Sequence, residues 1–144
     1  MNATDDRPIH ARNKANYIAA KDAFNARELD QCLTFYAREH QIMSRPAPPG
    51  REQIRAFLEG TLAGWPDLRL EVAHVVAEDD WVMGRSLATA THTTAVMGLP
   101  PTGKQVVTTF WDLHRFDEAG LIVQTWNLMD GLALVQQLGL LPAS

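Results

Sequence analysis

Val106–Gly139 reads VVTTFWDLHRFDEAGLIVQTWNLMDGLALVQQLG, and the fold turns on this stretch. Val106 to Phe116 is rich in β-branched and aromatic residues, which suit a pleated surface. Asp117-Glu118-Ala119-Gly120 is polar, ends in glycine and has the length of a hairpin loop. Leu121 to Met129 returns as the partner strand. The pattern then becomes helical at Leu132, Leu134, Val135 and Leu138, with Asp130 placed to cap the helix and Gly139 to stop it.

Upstream of the hairpin the signals are helical first. Tyr17, Ile18 and Phe24 recur at helical spacing from Ala11 on, with Lys14, Lys21 and Asp22 opposite them. Leu29–Tyr36 predicts a second short helix, Gln41–Ser44 a short strand ended by the proline-rich turn at 46–50, and Arg51–Ala63 a third helix. Leu68 to Val76 alternates as a half-buried strand that buries Leu68, Leu70, Val72, His74 and Val76. Trp81–Thr94 is a long strand after the Glu78-Asp79-Asp80 turn. Helices followed by a run of antiparallel strands make an α+β domain, with the helices over one face of a curved sheet.

The 144 residues, 46% of them hydrophobic, suffice for one domain with its own core, preceded by a loose tail over residues 1–10. A net charge of −4 with scattered basic residues carries no footprint for nucleic acid. A single cysteine, Cys32, excludes an internal disulfide. No secretory or membrane-spanning run is visible, so a soluble cytoplasmic protein is expected. No phosphate loop, nucleophile elbow or metal-ligand spacing occurs, so neither a metal nor a cofactor is expected.

The last two strands are apolar on both faces. Strict alternation groups Trp111, Leu113, Val123 and Met129 on one face, with Thr125 and Asn127, and Phe110, Phe116, Ile122, Trp126 and Leu128 on the other. One face meets the helices. The other lines a ligand cavity, a subunit interface, or both. Trp111, Leu113, Thr125, Asn127 and Met129 are therefore candidate ligand contacts, and Arg85 joins them if Met83 and Leu87 face the cavity. Asp112 and His114, two apart on one face, make either a mutually tuned pair or a surface pair, and are expected near Gln124 and Trp126. His92 stands among threonines as either a structural or a catalytic histidine.

Several short motifs occur together in order. Gly50-Arg51-Glu52 and Trp65-Pro66-Asp67-Leu68 come first. Thr91-His92-Thr93 precedes Gly98-Leu99-Pro100-Pro101-Thr102-Gly103-Lys104. Arg115-Phe116, Trp126, Asp130 and Gln136-Gln137-Leu138-Gly139 complete the set. From Asn13 to Gly139 the chain resembles the SnoaL-like polyketide cyclases, also called ester cyclases, of the nuclear transport factor two-like superfamily. The resemblance implies a cone-shaped α+β barrel and a cofactor-free aldol cyclisation, in which a base removes a proton next to a carbonyl and donors hold the enolate oxygen. It also implies a hydrophobic, polyketide-like ligand and a homodimer or higher homo-oligomer. The family's catalytic aspartate, directly after the tryptophan of the last strand, falls on Asn127. Its histidines fall on Thr125 and near Leu113. The expected function is thus cyclisation, isomerisation or hydroxylase-type tailoring of an oxygenated hydrophobic molecule, with Asn127, His92 and Asp112 as catalytic candidates. The alternative is a non-catalytic small-molecule-binding or assembly domain on the same fold.

Overall fold

A computed structural model describes residues 7–140. Its elements are α1 (Ile9–Asn25), α2 (Leu29–Leu33), β1 (Tyr36–Ile42), α3 (Arg51–Gly64), β2 (Arg69–Glu78), β3 (Trp81–Thr91), β4 (Gln105–Phe116), β5 (Ile122–Met129) and α4 (Gly131–Gln137). The expected tail lies outside the described residues over positions 1–6, and Ile9 already begins α1.

The five strands form one open, curved sheet in the order β1-β5-β4-β3-β2. β2 through β5 pair antiparallel, whereas β1 runs parallel to β5 at the edge. That edge strand is longer than the Gln41–Ser44 expected, because Tyr36 leaves the helical stripe and starts the strand. The concave face carries the core: Tyr17, Phe24, Leu33, Tyr36, Ile54, Val82, Phe116 and Ile122 are buried together. α1 therefore lies across the sheet through Tyr17, Ala20 and Phe24, while Ile18 points out. The closing helix behaves as its sequence suggests. Asp130 accepts the Ala133 N–H at 3.0 Å, and Gly139 takes φ 81°, a left-handed turn that costs glycine little. Leu134 and Leu138 then pack on Ala90 and Val106, closing one end of the concave side.

Two bulges correct the alternation. In β2 the register shifts between Val72 and His74, so Val75 and Ala77 turn toward the core while His74 and Val76 are exposed. In the β4–β5 hairpin, Phe116 faces Ile122 but Arg115 faces Gln124, so Val123 is the extra residue. An extra residue on one strand moves every later side chain to the opposite face relative to its neighbour. Beyond Val123, Asn127 faces Asp112 and Thr125 faces His114, while Leu128 faces Trp111 and Trp126 faces Leu113.

Candidate functional site

Between α1, α3 and the concave face lies a cavity of about 660 Å³. Its walls are apolar, with Tyr36, Phe57, Trp65, Phe110, Met129 and Leu134 among them. Near its base stands a group of buried polar side chains. Asp112, on the middle of β4, accepts the Tyr17 hydroxyl on Oδ1 and the Lys21 ammonium on Oδ2. Tyr17 and Lys21 are four apart on α1 and so project from one face. The Nε2 of His114 lies 3.4 Å from Asp112 Oδ2. On the other side of the His114 ring, Nδ1 is 2.8 Å from Thr125 Oγ1, which is also 2.7 Å from His40 Nε2. Asp112, His114, Thr125 and His40 are each at most 3% exposed.

Gly84 makes room for this arrangement. It pairs with Asp112 across β3 and β4, and a Cβ there would overlap the Tyr17 hydroxyl. Only glycine lets the phenol sit on the strand at that point.

Burial raises the Asp112 carboxyl, but the Lys21 ammonium, followed by His114, more than offsets this and holds it well below the usual carboxylate range. The site thus contains an ionised carboxylate neutralised by Lys21. Burial, reinforced by the Asp112 charge, pushes the Tyr17 hydroxyl well above its ordinary value, so it remains a donor. Burial lowers His114 despite the pull of Asp112, and burial with His114 nearby lowers His40 to about 4. Both imidazoles are neutral at pH 7. Burial pushes the Cys32 thiol, on the cavity wall, up to about 11, which leaves it a poor nucleophile.

The structure divides the residues singled out in the sequence. Thr125, Asn127 and Met129 line the cavity, and Asp112 lines it with them. Trp111, Leu113 and Arg85 do not: they occupy the convex face, where the Arg85 guanidinium lies 5.9 Å from the Trp111 ring centroid. The bulge at Val123 is the reason, since unbroken pairing from Phe116–Ile122 would have put Trp111 beside Asn127. For the same reason Asp112 and His114 are neighbours of Asn127 and Thr125, not of Gln124 and Trp126. Asn127 Oδ1 accepts the Ser44 hydroxyl at 2.8 Å, which leaves the Nδ2 N–H groups to donate elsewhere. His92 is buried outside the cavity wall. Its Nδ1 accepts the Thr102 N–H at 3.2 Å and lies 2.9 Å from Thr102 Oγ1, so it ties down the 92–104 loop.

Three members of the buried group escape a linear reading. Lys21 sits on the flank of α1 that its charge assigns to solvent, yet it is buried against Asp112. Tyr17 reads as an ordinary core aromatic. His40 falls between the expected helix ending at Tyr36 and the expected strand starting at Gln41, on the part of β1 that neither covers. The sequence signal that would have found Lys21 is its i, i+4 spacing from Tyr17 on the buried side of α1. Among the described residues, no three His, Cys, Asp or Glu side chains gather as metal ligands, and no helix is long and apolar enough to cross a membrane.

This curved sheet under helices, with a polar group beneath an apolar cavity, defines an α+β domain that encloses its own pocket. The family profile of the SnoaL-like polyketide cyclases matches residues 15–138, and the chain belongs to that family. Solved structures agree. The chain is 29% identical to the proposed polyketide cyclase IdmH of Streptomyces antibioticus, covering 88% of this chain and 98% of that one with a TM-score of 0.78. It is 30% identical to AclR of Streptomyces galilaeus, a proposed hydroxylase, over 93% and 89% with a TM-score of 0.82. A SnoaL-like polyketide cyclase of Agrobacterium tumefaciens is 27% identical over 88% and 98%, with a TM-score of 0.77. No curated protein sequence matches the chain.

Proposed function

We propose that the protein is a cofactor-free proton-transfer enzyme that cyclises or isomerises a hydrophobic, carbonyl-bearing small molecule, with Asp112 as the proton acceptor. The observation that supports this most is the pairing of Asp112 with Asn127 across β4 and β5, both on the cavity wall. The amide at Asn127 cannot take a proton, but a carboxylate stands on the adjacent strand at the same level. The acid has moved one strand over.

The Lys21 ion pair keeps Asp112 in the ionised form that can accept a proton, at the expense of its basicity, and supplies charge where the reaction needs it. When Asp112 takes a proton from the carbon beside a ligand carbonyl, the negative charge passes to the ligand oxygen. The Lys21 ammonium, with two N–H donors beyond the one on Asp112, neutralises the charge in both places. The buried site keeps its total charge through the step, which avoids the cost of creating charge in an apolar cavity. Asn127 Nδ2 supplies a second donor for the ligand oxygen.

The test is α-hydrogen exchange of 2-acetonaphthone in D2O, followed by NMR, with binding read independently from tryptophan fluorescence. The enzyme should accelerate exchange by roughly 10²-fold or more over buffer. Binding without acceleration would overturn the reading and leave a non-catalytic ligand-binding domain.

The convex face supports a homodimer as part of the same reading. It carries Trp81, Met83, Trp111 and Leu128, the last 70% exposed, with Arg115 and Arg85 against the two indoles. An apolar sheet face of this kind is costly to leave in water. Sedimentation velocity should give a dimer for the wild type and a monomer for Trp111→Glu with an unchanged circular dichroism spectrum. An unaltered sedimentation coefficient in the variant would remove this face from the assembly.

A further inference from the structure

We infer that Thr125 is a positioning residue whose hydroxyl joins two buried imidazoles into one directional chain, so that His114 can only donate toward the catalytic carboxylate. The inference deepens the reading of Asp112 as the proton acceptor and rests on it.

A hydroxyl has one hydrogen to give, and Thr125 Oγ1 lies within hydrogen-bond distance of two ring nitrogens, 2.8 Å from His114 Nδ1 and 2.7 Å from His40 Nε2. If both bonds form with neutral rings, one imidazole must donate to Thr125 and the other must accept from it. Asp112 decides which. A bare Nε2 lone pair 3.4 Å from an ionised carboxylate is repulsive, whereas an Nε2–H is attractive. His114 therefore carries its proton on Nε2 and leaves Nδ1 bare. Thr125 donates to that Nδ1 and accepts from the Nε2–H of His40.

The assignment leaves one nitrogen without a role, His40 Nδ1, as a bare lone pair. That is the His40 atom with no hydrogen-bond partner in the structure, and the residue is fully buried. The opposite direction would leave an N–H there instead. A buried unpaired N–H donor is the rarer and more costly state, while an acceptor without a partner is better tolerated. Two independent features, the charge at one end and the orphan nitrogen at the other, select the same direction.

The consequence for the site is a division of labour. With Nε2 protonated and Nδ1 engaged, His114 has no free lone pair facing the cavity, so it cannot compete with Asp112 as a base. It instead joins Tyr17 and Lys21 as a third donor around the carboxylate. Thr125 makes this possible by supplying a hydroxyl between His114 and His40, two histidines that would otherwise meet nothing polar on those edges.

The experiment is long-range ¹H–¹⁵N correlation NMR of histidine-labelled, ligand-free protein at pH 7, for the wild type, Thr125→Ser and Thr125→Val. Signals are assigned with His40→Gln and His114→Gln. The wild type should show His40 and His114 as single neutral Nε2–H tautomers, and Thr125→Ser should preserve both. The near-isosteric Thr125→Val should lose the fixed His40 tautomer and give a mixture of Nε2–H and Nδ1–H forms. An Nδ1–H tautomer at either histidine in the wild type would overturn the chain, as would identical spectra for wild type and Thr125→Val. If Thr125→Val does not fold, the wild-type and Thr125→Ser tautomers still decide the direction. Because no ligand is present, failure here leaves the exchange activity of Asp112 to be judged on its own.

Discussion

Asp112→Asn should abolish α-hydrogen exchange and also destabilise the fold by ~3–5 kcal/mol, because it removes one member of a buried ion pair and leaves the other uncompensated. Lys21 is only 9% exposed, and its ammonium rests between Asp112 and the rings of Tyr17 and Phe110, 5.0 and 5.2 Å away. Without the carboxylate, the cation has aromatic faces but no anion. The amide also keeps only one acceptor oxygen for three facing donors, the Tyr17 hydroxyl, Lys21 and the His114 Nε2–H, and turns N–H groups toward the rest.

Loss of activity in an unstable variant says little about chemistry, so a second variant is needed. Asp112→Leu combined with Lys21→Met removes both charges and fills similar volumes. Such replacements of buried pairs are often neutral or stabilising by ~1–4 kcal/mol. The double variant should denature in urea near the wild-type midpoint or above it, yet catalyse no exchange. If the double variant retains exchange activity, Asp112 is not the base. If Asp112→Asn unfolds with the wild-type midpoint, the pair is not the buried ion pair described.

Much of the architecture was legible from residue pattern alone, and the reason for each success is local. Asp117–Gly120 and Asp130 act through hydrogen bonds within a few residues of themselves, so sequence spacing is enough to place the hairpin and the closing helix. The cavity was expected on the hairpin face away from the helices, or else an interface there, but it lies on the concave face beneath the helices, and the other face is exposed, Leu128 by 70%. Which residues enter that cavity was not legible. That depends on parity, and a single extra residue at Val123 reverses it. The bulge at Val72–His74 produces the same reversal in β2. Neither carries a glycine or other local signature, so alternation placed Trp111 and Leu113 inside when they are outside. Lys21 was hidden for a different reason: a lysine is buried only when a partner far along the chain compensates it, and Asp112 is 91 residues away. Family position told as much as periodicity here. It directed attention to Asn127, and the structure supplied the acid beside it.

Acid should destabilise the protein from about pH 6.5 downward, above the range where carboxylates titrate, and His40 should contribute to the loss. In the fold its pKa is lowered to about 4, by burial first and then by His114, whereas in the unfolded chain it takes its ordinary value of about 6.5. Between those values the unfolded chain binds a proton that the native state refuses, so stability rises with pH through this window. It is complete above about pH 6.5 and falls as pH drops toward 4, by ~3 kcal/mol for this one group. The groups around the ring offer no relief. Tyr36 meets it edge-on with ring centroids 5.0 Å apart, Thr125 has already committed its hydroxyl, and His114 is lowered in the same direction. Asp112, held low, begins to lose its own contribution only below about pH 4, the ordinary carboxylate value. Urea denaturation at pH 7.5 and pH 4 should therefore show a steep loss for the wild type and a loss shallower by about 3 kcal/mol for His40→Gln. The comparison uses the difference between the two pH values within each protein, so the general cost of the substitution cancels. Equal pH dependence in the two proteins would mean that His40 titrates alike folded and unfolded, and that the interior around Thr125 is open to water.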